Sequence, residues 1–308
     1  MGVMETSEDF WRRVGEAFRG LKPEIFVGDA ARPISVALVA EEPDKLRRME
    51  EFFVPRLLGP RKAEQVRERL CSFVLPLGKL EREGLGDLDL VIGSPGAARQ
   101  LSDLLPRIYI FFAQSPQSVV NVILKERRDL ALPLARNFLP FRRAVDRRSM
   151  RSIALENALF AILTAVPDVW PAPFSRAKGA GDLASSTAFL TANQLRLAFL
   201  IAAANDSAVG FREQTGQITT IAAASLGWRS LARELSRRVS PAGGLVVKGL
   251  LAFAATYGTG LVLEQFHRLG CSMTCEAKTV VFEEAYRVGR RVLAGMLGAM
   301  ASGKGAGA

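Results

Sequence analysis

The sequence predicts an α/β domain with a mainly parallel sheet, degenerate G-domain-like or Rossmann-like, followed by an all-α helical domain. Three observations lead there. Short apolar runs alternate with helical stretches over about 100 residues of the first half, the pattern of parallel strands joined by helical crossovers. Longer apolar blocks then follow one another from about Ser152 to Leu269. Finally, apolar residues make up 49% and charged residues 23% of 308 positions, the composition of a folded chain long enough for two domains.

Residues 1–30 read as an amphipathic helix and lead-in. Thr6 with Asp9 is a variant capping box, and Phe10, Trp11, Val14, Ala17, Phe18 and Leu21 recur at three- and four-residue spacing. The α/β domain is expected over 31–124. Its first strand, Ile34–Ala40, is a continuous apolar run of the kind buried on both faces of a parallel sheet. A helix through Leu46, Met49, Phe52 and Phe53 and a charged one from Arg61 to Leu70 come next. Strands at Ser72–Leu75, Asp87–Ile92 and Arg107–Phe112 are separated by a helix through Leu101 and Leu105. Pro116–Leu124 is the last helix of the domain.

A basic connecting segment, 125–151, is expected to mark the domain boundary, broken in its middle by Phe138-Leu-Pro140. The helical domain spans 152–300. Its first block, Ile153–Val166, ends at Pro167, and Pro171 and Pro173 mark a connector. Gly179–Asp182 reads as a loop with Asp182 as a candidate N-cap. Helices are expected at Phe189–Ala204, Gln217–Leu226 and Trp228–Val239. The most hydrophobic block is Gly243–Leu263, which carries one charge, Lys248, in about twenty residues, the length of a membrane span. Ala254 with Gly258 and Thr256 with Gly260 permit close helix approach. A helix from Thr274 to Met300 and a small-residue tail, 301–308, complete the chain.

Composition narrows the function. The formal charge of +10 points to an anionic partner, either nucleic acid or a lipid headgroup surface. Three cysteines make no disulfide framework and fit a reducing cytosol. No signal peptide is expected from the acidic first residues. A single histidine, His267, excludes any two-histidine metal site within one chain. His267, Cys271 and Cys275 would lie along one helical face, but the outer two are roughly 12 Å apart on a continuous helix, too far to share an ion. No metal and no cofactor is expected.

Three groups of residues are candidates for a site. The loop after the first strand, Glu41-Glu-Pro-Asp-Lys45, lacks glycine and carries carboxylates where a phosphate would sit, so no Walker A loop is present. The turn Gly93-Ser94-Pro95-Gly96 after the third strand could hold an anion on its free amides, or be a plain tight turn. Arg142, Arg143, Arg147, Arg148 and Arg151 read as an anion- or lipid-binding flank beside an apolar block, as a nucleic-acid contact aided by Phe138 and Phe141, or as a solvated surface. Glu156, Asn157, Asn193, Gln194, Arg196 and Lys248 interrupt apolar blocks. Burying any of them unpaired costs about 2–7 kcal/mol or more, so they are expected to face one another in a buried polar network, for instance Glu156 with Lys248 or Arg196.

Leu190-Thr-Ala-Asn-Gln194, Gly227-Trp-Arg229 with Ala232-Arg-Glu-Leu235, Pro241-Ala-Gly-Gly244 with Lys248, and Thr256-Tyr-Gly-Thr-Gly260 occur in an order that resembles the bacterial YcjF-like domain of unknown function. The resemblance spans 149–270. It implies a helical, membrane-associated module, often accompanied by a Ras-like GTPase domain, with no catalytic residues to carry over. The N-terminal half departs from a GTPase, having neither phosphate loop nor base-reading Asn-Lys-x-Asp motif.

The combined expectation is a non-enzymatic, membrane-associated scaffold or regulatory protein at the cytosolic face of the cytoplasmic membrane, binding anionic lipid and a partner protein such as a GTPase. Alternatives are a nucleotide-linked enzyme or pseudo-GTPase, a nucleic-acid-binding regulator, and a cytoplasmic location. The sequence leaves oligomeric state and membrane topology open.

Overall fold

The structure is a computed structural model, and it describes residues 21–77, 84–163, 181–216, 241–271 and 273–303. The expected helices over 6–20, Gln217–Leu226 and Trp228–Val239 lie outside the described residues, as do the connector at Pro171 and Pro173 and residues 304–308. Two compact units are present: 27–145 with 203–207, and 1–26 with 146–202 and 208–308. The division falls at Val145, inside a helix, and not in an open linker.

The first unit is the α/β unit. Its elements are β1 (Val36–Ala40), α1 (Pro43–Phe53), α2 (Pro60–Arg67), β2 (Leu70–Val74), β3 (Leu90–Gly93), α3 (Pro95–Leu101), β4 (Tyr109–Ile110), α4 (Gln117–Glu126) and α5 (Ala131–Asn137). The four strands pair in the order β2-β1-β3-β4, all parallel. The sheet therefore grows in one direction from β1 to β2 and in the other from β1 to β3. That reversal is a topological switch point, where open α/β sheets open a crevice at the carboxyl ends of their strands.

Strand alternation divides the core into two layers. Val36, Leu38 and Ala40 pack with Leu46, Met49 and Phe53 of α1, Val120 and Ile123 of α4, Leu134 of α5, and Phe138 and Phe141. Ala37, Val39 and Val91 point the other way, to Ala97 and Leu101 of α3, Leu77 and Leu85. Coverage on both faces explains why β1 reads as an unbroken apolar run, and all five of its residues are buried. Pro43, Pro60 and Pro95 each sit in the first turn of a helix, where the missing N–H costs nothing.

Two expectations change here. The fourth strand is two residues long, Tyr109–Ile110 paired with Ile92 and Gly93, and its far end is set where β3 stops and the chain turns into α3. The basic connector is helical: α5 ends at Asn137 and α6 runs from Leu139 to Leu163. Pro140 breaks nothing, since it lies in the first turn of α6. Phe138 and Phe141 are fully buried, which removes them as stacking platforms for nucleic acid.

The second unit is helical. It takes α6 from Asp146 on, most of α7 (Gly181–Ala204), α8 (Pro241–Leu269) and α9 (Cys275–Gly303). Helix α7 begins at Gly181, so the expected Gly179–Asp182 loop has its last two residues in helix, and α9 runs three residues into the expected tail. The core gathers Met150, Ile153 and Ala158 of α6, Leu197 and Ile201 of α7, Leu250, Phe253 and Leu261 of α8, and Ala285 and Leu293 of α9. Glycines set the close approaches. A methyl group on Gly260 would lie 2.5 Å from Met150 Cγ and 3.1 Å from Leu197 Cδ2, and one on Gly289 would lie 2.8 Å from Leu250 Cδ1.

The most apolar stretch, Val246–Leu269, is long enough to cross a bilayer, yet 67% of its most hydrophobic window is buried inside the protein. Leu250 and Phe253 are enclosed and Val262 is half-buried.

Candidate functional site

The carboxyl ends of β1 and β3 bring the acidic loop and the glycine turn together. Ser94 caps the N-terminus of α3 and its hydroxyl accepts from the Ala97 amide at 3.4 Å. The same hydroxyl donates to the Glu41 carboxylate. A side chain on Gly96 would meet that carboxylate, so glycine is what lets Glu41 lie over the turn. Lys45 donates to Glu41 at 2.6 Å and to Glu42 at 2.9 Å. At the candidate anion turn Gly93, Ser94 and Gly96, the Ser94 hydroxyl is thus taken by the chain's own Glu41 carboxylate.

Burial pushes the Glu41 carboxyl up, but the hydrogen bonds from Lys45 and Ser94 outweigh it and hold the group at about 2, against an ordinary 4.5. A depressed carboxylate stabilises the fold above its ordinary pKa, and that contribution is lost as pH falls through the folded value. Glu41→Gln is expected to flatten the acid limb of stability between about pH 4.5 and about pH 2, as read from urea midpoints. An unchanged limb would show that Glu41 does not titrate in this bonded state.

The arginines of the cluster differ in their contacts. Arg142 lies in the α/β unit and donates from Nε to the Ala135 carbonyl at 3.1 Å and from Nη2 to the Arg136 carbonyl at 3.2 Å. It thereby satisfies carbonyls at the end of α5, which have no partners within the helix. Arg147 lies in the helical unit and joins three helices. Its Nη1 donates to the Tyr257 hydroxyl and to Glu284 Oε1, both at 3.2 Å, and its Nε stands 3.3 Å from Glu264 Oε2. Burial pulls the Arg147 guanidinium down, and the Tyr257 hydroxyl and the Glu264 charge more than reverse this, leaving it above its ordinary value. Arg143 and Arg151 are exposed and Arg148 is half-buried. Arg142 and Arg147 are thus corrected from lipid-binding candidates to structural residues, because each is committed to acceptors within its own unit.

The polar residues of the helical unit form two groups. Asn193 Nδ2 donates to Asn157 Oδ1 at 2.8 Å, and Asn157 Nδ2 donates to Thr256 Oγ1 at 2.7 Å. Thr256 in turn donates to the Ala252 carbonyl at 2.9 Å, one turn back on its own helix. Asn157, Asn193, Gln194 and Thr256 are all buried. Glu156 pairs with Arg196 at 2.9 Å, but both side chains are 39% exposed, so this pair is at the rim and not in the core. Lys248 is exposed and belongs to neither group. The helix turns its one lysine to water, since burying the ammonium would cost more than any partner here returns. Thr256 in the asparagine chain, and Tyr257, Glu264 and Glu284 around Arg147, are the partners that the sequence reading missed.

His267 lies on α8, where burial pulls its imidazole below the ordinary value. Leu269 ends the helix, Gly270 has φ +69°, and Cys271 is exposed beyond it. The continuous helical face needed to align His267, Cys271 and Cys275 is therefore interrupted. Among the described residues no three metal-binding side chains gather.

No family model, no curated protein and no solved structure matches the chain, so the YcjF-like resemblance rests on the sequence motifs alone.

Proposed function

We propose that the protein is a non-enzymatic scaffold or regulatory protein that works at the cytosolic face of the cytoplasmic membrane, holding a partner protein near anionic lipid. The observation that carries the non-enzymatic part is Glu41. The crevice where a doubly wound sheet ordinarily takes a phosphate is filled by a carboxylate held by Ser94 and Lys45. An incoming phosphate would have to displace that carboxylate and then sit beside it as a like charge. The α/β unit in this reading contributes outer surface for a protein partner. The membrane part rests on the net charge of +10, the apolar helical unit and the motif resemblance.

Fractionation after detergent-free lysis tests this reading. The protein is expected in the membrane pellet and is expected to be released by a carbonate wash. Recovery of all of it in the first supernatant, with no affinity for anionic vesicles, would contradict the proposal.

A further inference from the structure

The sheet of the α/β unit ends on two unequal edges. At one, β4 pairs over two residues; at the other, β2 runs beside β1 for the whole of Leu70–Val74. In a parallel pair, successive residues turn their backbone groups alternately to the two sides. The Val36 amide donates to the Arg69 carbonyl and the Leu75 amide to the Ala40 carbonyl, both at 2.9 Å. Arg69, Cys71, Phe73 and Leu75 therefore face β1, and Leu70, Ser72 and Val74 turn N–H and C=O away from it. Among the described residues no strand pairs with that side. Ser72 and Val74 are exposed, Val74 by 37%. Edge strands are ordinarily kept from pairing by a proline, a charge or a bulge. Leu-Cys-Ser-Phe-Val carries neither proline nor charge, and its register with β1 is unbroken.

The surroundings of this edge fit a second copy of the chain. A groove of about 340 Å³ beside β2 is lined by Arg47, Glu50 and Glu51 of α1 and by Arg67 of α2, so it carries both signs of charge. A two-fold contact sets a patch against itself and needs that self-complementarity. Helix α1 starts at Pro43, just after β1, and Val54 beyond its far end lines the groove with Leu70. Arg47 thus lies toward the Val74 end of β2 and Glu51 toward the Leu70 end. We propose that two copies of the protein pair antiparallel through β2, with the two-fold axis at Ser72. Leu70 then lies opposite the partner's Val74, Cys71 opposite the partner's Phe73, and Arg47 on the side of the partner's Glu51. No like charges meet along the strands, and the sheets of the two copies become continuous. Glu50, nearest the axis, accepts from the Ser72 hydroxyl of its own strand at 2.5 Å. The contacts that Arg47 and Glu51 make within the chain, with Asp44 at 3.0 Å and Arg56 at 3.6 Å, are exposed pairs that hold them weakly. This pairing does not depend on the membrane reading above.

Analytical ultracentrifugation of the full-length protein in detergent-free buffer tests the inference. The wild type is expected to be a dimer at micromolar concentration. Ser72→Pro is expected to weaken the dimer about tenfold or more, because it removes a donor that points outward and leaves the β1 ladder its bonds. Val74→Lys is expected to do the same by placing a charge on the edge. It serves alone if Ser72→Pro does not keep the wild-type circular dichroism. Register is read by cross-linking. The cysteine introduced by Phe73→Cys stands opposite the partner's Cys71, with Cα atoms about 4.5 Å apart, within disulfide reach. Mild oxidation of Phe73→Cys is expected to give a covalent dimer that is lost when Cys71→Ser is added, which separates it from any link through Cys271 or Cys275. A monomeric wild type at micromolar concentration would overturn the inference. So would a dimer that the folded edge variants leave unchanged, or one that Phe73→Cys does not link through Cys71.

Discussion

Replacing Arg147 by methionine is expected to destabilise the helical unit by about 3–5 kcal/mol, the usual cost of removing one partner of a buried ion pair. The reason is geometric. Glu264 keeps only 5% of its side chain exposed, and Arg147 Nε is 3.3 Å from it. The same guanidinium also reaches Tyr257 on α8 and Glu284 on α9, so one substitution loosens three helices at once. Methionine retains most of the side-chain volume, which makes the charge the quantity tested. Urea unfolding followed by circular dichroism would read the loss. Arg147→Met combined with Glu264→Gln is expected to recover part of it, because the buried negative charge is gone. A loss within about 0.5 kcal/mol, the ordinary range of a surface substitution, would show that the Arg147 contacts do not hold the unit together.

Asn157→Leu is expected to cost about 2–6 kcal/mol, from two buried groups each losing a partner worth about 1–3 kcal/mol. Asn193 loses the carbonyl that accepts its amide, and Thr256 loses the amide that donates to its hydroxyl. Leucine has the same branched heavy-atom skeleton as asparagine and is more apolar, so it removes the polar groups and keeps the side chain's shape. Asn157→Leu with Asn193→Leu and Thr256→Val is expected to be less destabilised than the sum of its parts, since all three members of the chain are then apolar. A single substitution that raises the unfolding midpoint would mean that the polar chain contributes nothing to stability.

The parts of the fold that were legible are those whose cause is local. Strand β1 could be read because both faces of the sheet are covered, which writes an unbroken apolar run into Val36–Ala40. Helix α1 could be read from Leu46, Met49 and Phe53, which return to one buried face. The C-terminal end of β4 could not be read, because it is set by where β3 turns at Ser94, and not by the residues after Ile110. Pro140 read as a breaker since its place in the first turn depends on where α5 stops.

The site shows the same division. Two carboxylates after β1 already spoke against a phosphate in that loop. That one of them lies over Gly96 is a consequence of β1 and β3 being neighbours, which no local pattern states. Asn157 and Asn193 were conspicuous in apolar blocks. Thr256 was not, because a threonine in a helix can return its proton to its own preceding turn, as it does to Ala252. Lys248 was placed in the wrong group for a related reason. Helix α8 is apolar on nearly every side, so its sequence carries no face from which the direction of one lysine could be deduced.

The central claim is that the most hydrophobic helix of this protein is packed against the other helices of its unit, with 67% of its most apolar window buried. Hydrogen–deuterium exchange of the full-length protein in detergent-free buffer, with and without phosphatidylglycerol-containing vesicles, addresses it most directly. The account predicts that amides from Leu250 to Leu263 exchange slowly in buffer and do not change with vesicles. Rapid exchange from Leu250 to Leu263 in buffer, with protection appearing only in the presence of lipid, would contradict it.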